Sequence, residues 1–306
     1  MISIAMATYN GEKFLREQIE SIFAQTVTDW ELVACDDCST DSTLNILREY
    51  EAKDSRIHVF QNDENLGFKR NFERVISLCR NDFVALCDQD DIWIKNHLER
   101  LLELIEDKSM AVANARIMSA AGELTEELLS DRDRYYVDGN DCDRLYRILF
   151  SGNPFQGTSS MLRKELLLKA MPIPDDVIYH DAWFSACACC NRGIAYSFEP
   201  ITQYRIHGAN VSGNHHRTFI ERIRINLKRK KYKNDRAIFC RELACRFPNM
   251  PTNIRNVVAQ GNTFYEWREK NQKLKVVAFL IKHYKKVYAT KSYRYVVLRC
   301  IKYLVR

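Results

Sequence analysis

Over the first 120 residues, short β-branched runs alternate with segments whose apolar residues recur every three or four positions, and this alternation constrains the fold more than any other feature of the chain. The strand candidates are Ile2 to Thr8, Glu31 to Cys35, Ile57 to Gln61, Phe83 to Cys87 and Ala111 to Met118. Between them, Leu15, Ile19, Ile22 and Phe23, then Leu44, Leu47 and Tyr50, then Phe72, Val75, Ile76 and Cys79, then Leu98, Leu101, Leu102 and Ile105 each fall on one helical face. Strands joined through helices pair in parallel, so the series predicts an α/β fold with a largely parallel sheet and helices on both faces. In such sheets ligands bind beyond the carboxyl ends of the strands.

The polar residues concentrate at those ends. The first strand runs into Thr8-Tyr9-Asn10-Gly11-Glu12, the second into Asp36-Asp37-Cys38-Ser39-Thr40-Asp41 and the fourth into Asp88-Gln89-Asp90-Asp91, so three polar clusters should converge on one crevice. No GxGxxG or GxxxxGK[ST] follows the first strand, which leaves a dinucleotide-dependent oxidoreductase and a P-loop protein without support. A nucleotide bound here needs another source of positive charge for its diphosphate, and a divalent metal is the usual one.

In Asp88-Gln89-Asp90 the carboxylates are two residues apart and point the same way on an extended segment. Hard oxygen ligands at a strand mouth suit Mg2+ or Mn2+; the plainer reading is an acidic turn whose Asp90 or Asp91 caps the next helix. Asp36 and Asp37 are placed to accept a hydrogen bond from a base N–H or a ribose hydroxyl, while Ser39 or Asp41 caps the helix starting near Ser42.

Ala7-Thr8-Tyr9-Asn10-Gly11-Glu12, Asp36-Asp37-Cys38-Ser39-Thr40-Asp41, Asn65-Leu66-Gly67-Phe68-Lys69-Arg70-Asn71 and Asp88-Gln89-Asp90-Asp91 occur in the order and spacing of the family 2 glycosyltransferases. The chain resembles that family over about residues 1 to 215, and within it the bacterial rhamnosyltransferase-like members. The resemblance implies a GT-A-type, Rossmann-like fold and a nucleotide pocket at Ala7, Tyr9, Glu12, Asp36, Asp37, Lys69 and Asp88, with Asp90 meeting the metal.

After residue 150 the alternation stops. Phe155 to Leu162 reads as a strand with hydroxyls, and the resemblance places Gln156 and Gly157 beside the acceptor and the donor sugar. Tyr179-His180-Asp181-Ala182-Trp183-Phe184 matches the family's Glu-Asp or His-Asp motif, which implies Asp181 as the base and puts His180 and Trp183 near the sugars. An inverting transfer needs one base to take the acceptor's proton, and a carboxylate on a helix start is well held for it; the plainer reading makes Asp181 an N-cap. Gln203-Tyr204-Arg205-Ile206-His207-Gly208-Ala209-Asn210-Val211-Ser212-Gly213 reads as a polar loop after a strand at Ile194 to Phe198. It resembles family segments that close over the diphosphate, implying His207 in the metal shell or against a phosphate, and Arg205 on the nucleotide's phosphates, neutralising the leaving group.

Charge divides the chain in two. Residues 1 to 216 carry 22 Lys+Arg against 35 Asp+Glu, a net of −13, and residues 217 to 306 carry 24 against 5, a net of +19. The expected organisation is a catalytic domain over 1–216 and a basic helical region over 217–306. In that region Val277, Leu280, Ile281, Tyr284, Val287 and Tyr288 form one apolar stripe, and Tyr293, Val296, Val297, Cys300, Ile301 and Leu304 another. The stripes either pack on the catalytic domain or lie on an anionic membrane surface, and the membrane is favoured here because the expected acceptor is lipid-linked. The acidic catalytic half argues against nucleic acid.

The chain start has no basic stretch followed by an apolar one, and the longest apolar run of the tail is Val276 to Ile281, so neither a leader nor a membrane span is expected. The expected place is the cytoplasm, at the inner face of the membrane. Eleven cysteines without a regular framework read as reduced, mostly buried thiols, Cys35-x-x-Cys38 included. The function expected is an inverting, metal-dependent transfer from a dTDP-rhamnose or UDP-sugar donor to a saccharide hydroxyl. The alternatives are a nucleotidyltransferase and an inactive nucleotide-sugar-binding scaffold.

Overall fold

The computed structural model describes residues 1–133, 139–208 and 236–287, together with 296, 297, 300 and 304. The predicted alternation is present as β1 (Ile2–Thr8), α1 (Leu15–Phe23), β2 (Trp30–Asp36), α2 (Thr43–Lys53), β3 (Ile57–Gln61), α3 (Phe68–Leu78), β4 (Phe83–Asp88), a two-residue β5 (Ile92–Trp93), α4 (His97–Ile105) and β6 (Met110–Ser119). After it come β7 (Leu124–Leu128), α5 (Leu129–Asp133), α6 (Asp141–Phe150), β8 (Ser160–Arg163), α7 (Lys164–Ala170), α8 (His180–Cys190) and β9 (Ile194–Ile206). The chain then gives α9 (Arg236–Arg246), α10 (Thr252–Glu269), α11 (Lys273–Lys282) and α12 (Tyr284–Val287).

The strands form one sheet in the order β3-β2-β1-β4-β8-β6-β9-β5, with β7 on β6. The β3-β2-β1-β4 half is parallel throughout. Beyond it β8 runs antiparallel to both β4 and β6, β9 runs parallel to β6, and β5 closes antiparallel on β9. Period-two alternation divides the strand residues between two cores, as helices on both faces require. Ile4, Met6, Leu32 and Cys87 pack with α1, α2 and α4. Ala5, Val33, Val84 and Leu86 pack with α3, α6 and α8 on the other side.

Two segments fold otherwise than their sequence suggests. The residues 153–159 form no strand, and β8 begins only at Ser160. Strand β9 runs 13 residues to Ile206, so Arg205 sits buried in a strand and not in a loop.

The boundary expected at 216/217 lies outside the described residues, as do Ala209 to Gly213 and the side chains of Tyr288, Tyr293 and Ile301. From residue 236 onward the helices share the core of α6 and α8: Phe239, Cys240, Leu243, Val258, Phe264, Phe279, Leu280, Val287, Val296 and Cys300 all join it. The apolar stripe of the tail therefore packs largely inward, with Ile281, Val297 and Leu304 left exposed. All eleven cysteines are free thiols, eight of them buried, and Cys35 donates to Asn62 Oδ1.

Helices α9 and α10 meet at Gly261, where an added Cβ would stand 2.5 Å from Cys240 Sγ and 3.4 Å from Leu149 Cδ1. Gly261→Val should overpack this contact and destabilise the chain by about 1–3 kcal/mol. Because the helices share the catalytic core, a urea melt should show one shifted transition and no separate early unfolding of the C-terminal helices.

Candidate active site

Strand register brings the polar clusters together. Ala7 of β1 lies beside Asp88 of β4, and Thr8 beside Asp36 of β2, so three parallel strands end at one level. The segments beyond them are held by each other's side chains. The Gln89 carboxamide makes two 2.9 Å bonds to Tyr9, accepting its N–H and donating to its carbonyl. Gly11 passes so close to this carboxamide that any Cβ would overlap it. Asn10 takes the left-handed region at φ 48°, where asparagine is tolerated, and its Oδ1 accepts the Thr40 N–H at 2.8 Å.

The adjacent aspartates after β2 do different work. Asp36 is fully buried and accepts from Thr8 Oγ1 at 3.2 Å and from the Ser39 N–H and hydroxyl at 3.0 and 2.5 Å. Asp37 accepts the Leu66 and Gly67 N–H groups, both at 2.8 Å, and Asn62 Nδ2 at 2.6 Å. It thereby fixes the turn that opens α3, where Gly67 at φ 78° needs the freedom of a glycine.

These segments, the 153–158 loop, the start of α8 and the end of β9 line a cavity of 850 Å³, within the usual range for a ligand site. Ala7, Tyr9, Asp37, Asp88, Asp90, Gln156, Gly157, His180, Asp181 and His207 all line it. An added Cβ on Gly157 would stand 3.3 Å from His180 Nε2 and 4.0 Å from Asp181 Cβ, so that glycine lets the loop lie against α8.

Carboxylates dominate the electrostatics. Burial, then the charges of Asp90 and Asp181, push Asp88 up to about 7. Burial and the same crowd of acids push Asp91 well above its ordinary value. Burial raises Asp181 to about 6, opposed by hydrogen bonds from the Ala182 N–H, at 2.6 Å, and from Asn153. Two basic side chains lie against this crowd. Arg205, 1% exposed, donates its backbone N–H to Asp91 Oδ1 and its Nε to the Asp90 backbone carbonyl, each at 2.9 Å, and its Nη2 to Glu17 at 2.5 Å. The guanidinium also lies 4.6 Å over the Phe14 ring. His207 Nε2 stands 2.7 Å from Asp90 Oδ2.

His180 differs from both. Its ring stacks on Phe72 at 4.0 Å, burial alone lowers its pKa to about 3, and neither ring nitrogen has a hydrogen-bond partner among the described residues. It is a neutral imidazole facing the cavity.

Five residues expected in the pocket point elsewhere. Trp183 is fully buried, donates its indole N–H to the Ala170 carbonyl at 2.8 Å and packs edge-on against Phe239, so it cannot meet a sugar. Arg205 is sealed beneath Asp90 and Asp91 and reaches no phosphate. Lys69 donates to the Pro174 and Asp175 carbonyls at 3.3 and 2.8 Å, tying α3 to the loop before α8. Glu12 accepts the Ser42 N–H at 2.8 Å, and Asp36 is consumed by the Ser39 turn. The cavity also takes in Phe14, Phe68, Tyr179 and Tyr204, which the sequence reading passed over. Phe68, Tyr179 and Tyr204 each lie inside a motif without a role of their own there, the only signal that marked them.

Replacing Arg205 by Met removes two charge-assisted bonds from beneath the acidic cluster and should cost about 2–4 kcal/mol in a urea melt. Glu17→Gln, on the solvated side of the same pair, should cost less than about 1 kcal/mol.

Comparison with known proteins supplies the family. The family model described as "Glycosyl transferase family 2" matches residues 3–169. The chain is 35% identical over 111 residues to a putative teichuronic acid biosynthesis glycosyltransferase, TuaG, of Bacillus subtilis, covering 36% of this chain and 44% of that one. It is 35% identical over 105 residues to the UDP-Glc:alpha-D-GlcNAc-diphosphoundecaprenol beta-1,3-glucosyltransferase WfgD of Escherichia coli, covering 34% and 41%. It is 27% identical over 227 residues to the dTDP-rhamnosyl transferase RfbG of Shigella flexneri, covering 68% and 75%. The match thus spans about two fifths of the first two relatives. The mannosyltransferase PcManGT of Pyrobaculum calidifontis, solved with GDP-Man and Mn2+, shares the fold at a TM-score of 0.58 and 16% identity, over 99% of this chain and 79% of that one. With four sequence motifs in register, a GT-A sheet that gathers them at one cavity and a family match over more than half its length, the chain belongs to glycosyl transferase family 2.

Proposed function

We propose that this glycosyltransferase moves a sugar from a nucleoside-diphosphate donor to a hydroxyl of a lipid-linked saccharide, with inversion, in the assembly of a bacterial surface polysaccharide. The observation that carries this reading is that Asp181, the Asp90–His207 pair and the strand-end residues Ala7, Tyr9 and Asp37 all open on one cavity. The acceptor class rests on the likeness to WfgD, whose name specifies a diphosphoundecaprenol-linked acceptor.

The metal fits the residues present. Asp90 offers a hard oxygen and His207 a nitrogen in mutual contact, and no group of three such ligands exists among the described residues. Asp90 and His207 would hold such an ion, and the imidazole would favour Mn2+ over Mg2+, whose sites are built of oxygens. When bound, the ion supplies charge to balance the leaving diphosphate.

The chain's own groups do the rest. Asp181 takes the proton of the attacking hydroxyl; its raised pKa makes it a stronger base than an ordinary carboxylate. His180, held neutral beside it, offers a hydrogen bond to a sugar hydroxyl without adding charge. Asp37, Tyr9 and Ala7 bound the nucleoside end. The donor's base and sugar are left to a panel: dTDP-rhamnose is the first candidate on the likeness to RfbG, with UDP-hexoses next.

No helix among the described residues is long and apolar enough to cross a membrane. Peripheral attachment at the inner leaflet rests on Leu274 and Ile281, exposed seven residues apart on α11 amid lysines. L274D/I281D should abolish sedimentation with anionic liposomes at low salt, and undiminished binding would remove the idea.

Asp181→Asn should lower transfer by at least about a thousandfold, within the reach of a lost base and misplaced nucleophile, while donor binding with Mn2+ persists in calorimetry. Near-normal turnover would sink the assignment. Because Asp181 works ionised and its pKa is raised to about 6, kcat/KM should be level above pH 7 and fall tenfold per unit below about 6. Asp90→Ala and His207→Ala should each remove the Mn2+-dependent part of donor binding and leave any metal-free binding in place.

A further inference from the structure

A second concave surface lies away from the transfer site, between α10 and α11. It has a volume of 580 Å³. Asn256, Ala259, Gln260, Thr263 and Trp267 line it from α10, and Lys275, Ala278, Phe279, Lys282 and His283 from α11 and its end. Spacings of three, four and seven residues put each set on one helical face.

The chemistry of this lining is selective. Not one of the ten residues is acidic, while Lys275 and Lys282 bring two ammonium groups. Trp267 is partly exposed and packs edge-on to Phe279, with the Lys275 ammonium 5.8 Å over its ring. The Gln260 carbonyl oxygen is engaged by the Tyr146 hydroxyl, which leaves its amide N–H groups to a ligand. Thr263 Oγ1 donates to the Ala259 carbonyl at 3.0 Å and keeps acceptor capacity. The only aliphatic side chains are Ala259 and Ala278, so the surface has no channel for an acyl chain.

A flat indole, planar amides, a hydroxyl and two cations, with no carboxylate and no aliphatic trough, match an oligosaccharide bearing anionic groups. The ring covers the C–H face of a pyranose, the amides take its hydroxyls and the lysines take its carboxylates or phosphates. We propose that this groove is a binding site for an anionic glycan, separate from the site of transfer. Helix α10 packs on α6 and α8, α11 packs on α10 with Phe279 against Phe150 of α6, and α8 begins with His180 and Asp181. Its role of holding a distal part of the acceptor chain rests on the transferase reading; the binding itself does not.

The chain offers its own probe. Of its four tryptophans, Trp30, Trp93 and Trp183 are at most 3% exposed, so a solute that quenches or shifts the emission acts through Trp267. The full-length protein, without donor or metal, is titrated with trigalacturonate, maltotriose, inorganic phosphate and phosphatidylglycerol vesicles. Trigalacturonate should give a saturable change, at least tenfold tighter than maltotriose or phosphate. Lys275→Gln/Lys282→Gln, two exposed positions, should weaken it at least tenfold without moving Tm, and Trp267→Phe should remove the signal. No saturable change, equal response to maltotriose or phosphate, an unaffected lysine variant, or a response to vesicles alone would each overturn the site. Since no transfer is measured, failure here leaves the Asp181 assignment standing, and a failed Asp181 test leaves this one standing.

Discussion

Three aspartates within four residues at the mouth of a buried strand, with a fourth close enough to raise the pKa of Asp88, set the constraint around which the second half of the fold is arranged. Like charges in a poorly solvated place repel strongly, so the cluster persists only with countercharge or protons. Strand β9 delivers hydrogen-bond donors to it. Its antiparallel pairing with β5 sets Ile92 beside Gln203 and Trp93 beside Thr202, and two residues further along the same register Arg205 arrives under Asp90 and Asp91. His207 follows on the cavity side. The short β5, which has no counterpart in the helix-strand rhythm of the sequence, is what aligns Arg205 and His207 with the acids.

The same economy of side chains builds the rest of the cavity. A glycine-rich phosphate loop would offer its own backbone N–H groups; here the backbone of each strand-end segment is instead bound by carboxylates and amides of its neighbours. Asp37 takes two N–H groups of the α3 turn, Asp41 takes that of Thr43, Glu12 that of Ser42, and Gln89 clasps Tyr9. Lys69 and Arg70 tie α3 to the loop that precedes Asp181. Groups that a motif reading assigns to the ligand thus serve to hold the ligand-facing groups still, and fixed polar groups of this kind need no reorganisation when charge develops.

This division of labour explains what the sequence could convey. The period-two and period-3.6 patterns located β1 and β3 to the residue and β2, β4 and β6 within one residue at each end, because each element buries one continuous face. Parallel topology then placed three polar clusters at one end. What periodicity could not convey was which neighbour turns inward. Asp36 ends a strand and Asp37 begins a turn, and only the turn residue reaches the cavity. Helix α8 is buried on nearly every side, nine of its eleven residues, so its pattern gave no face to Trp183. In β9 the run Tyr196-Ser197-Phe198-Glu199-Pro200 breaks the alternation where the register with β6 shifts, which made the strand look finished before it reached Arg205.

The C-terminal helices carry that ambiguity to its physical root. An amphipathic stripe of Leu, Val and Tyr satisfies a protein core and a membrane surface alike, and only packing against α6 and α8 separates the two. Once Leu280, Val287, Val296 and Cys300 are buried there, the basic charge stops being that of a separate tail. Between 236 and 287 it amounts to 11 Lys+Arg against 3 Asp+Glu, on helices continuous with the core that supports Asp181. The pull of that charge on an anionic group is screened beyond about 8–10 Å at 0.1–0.15 M salt, so it acts only through the surface of these packed helices and not through a mobile arm.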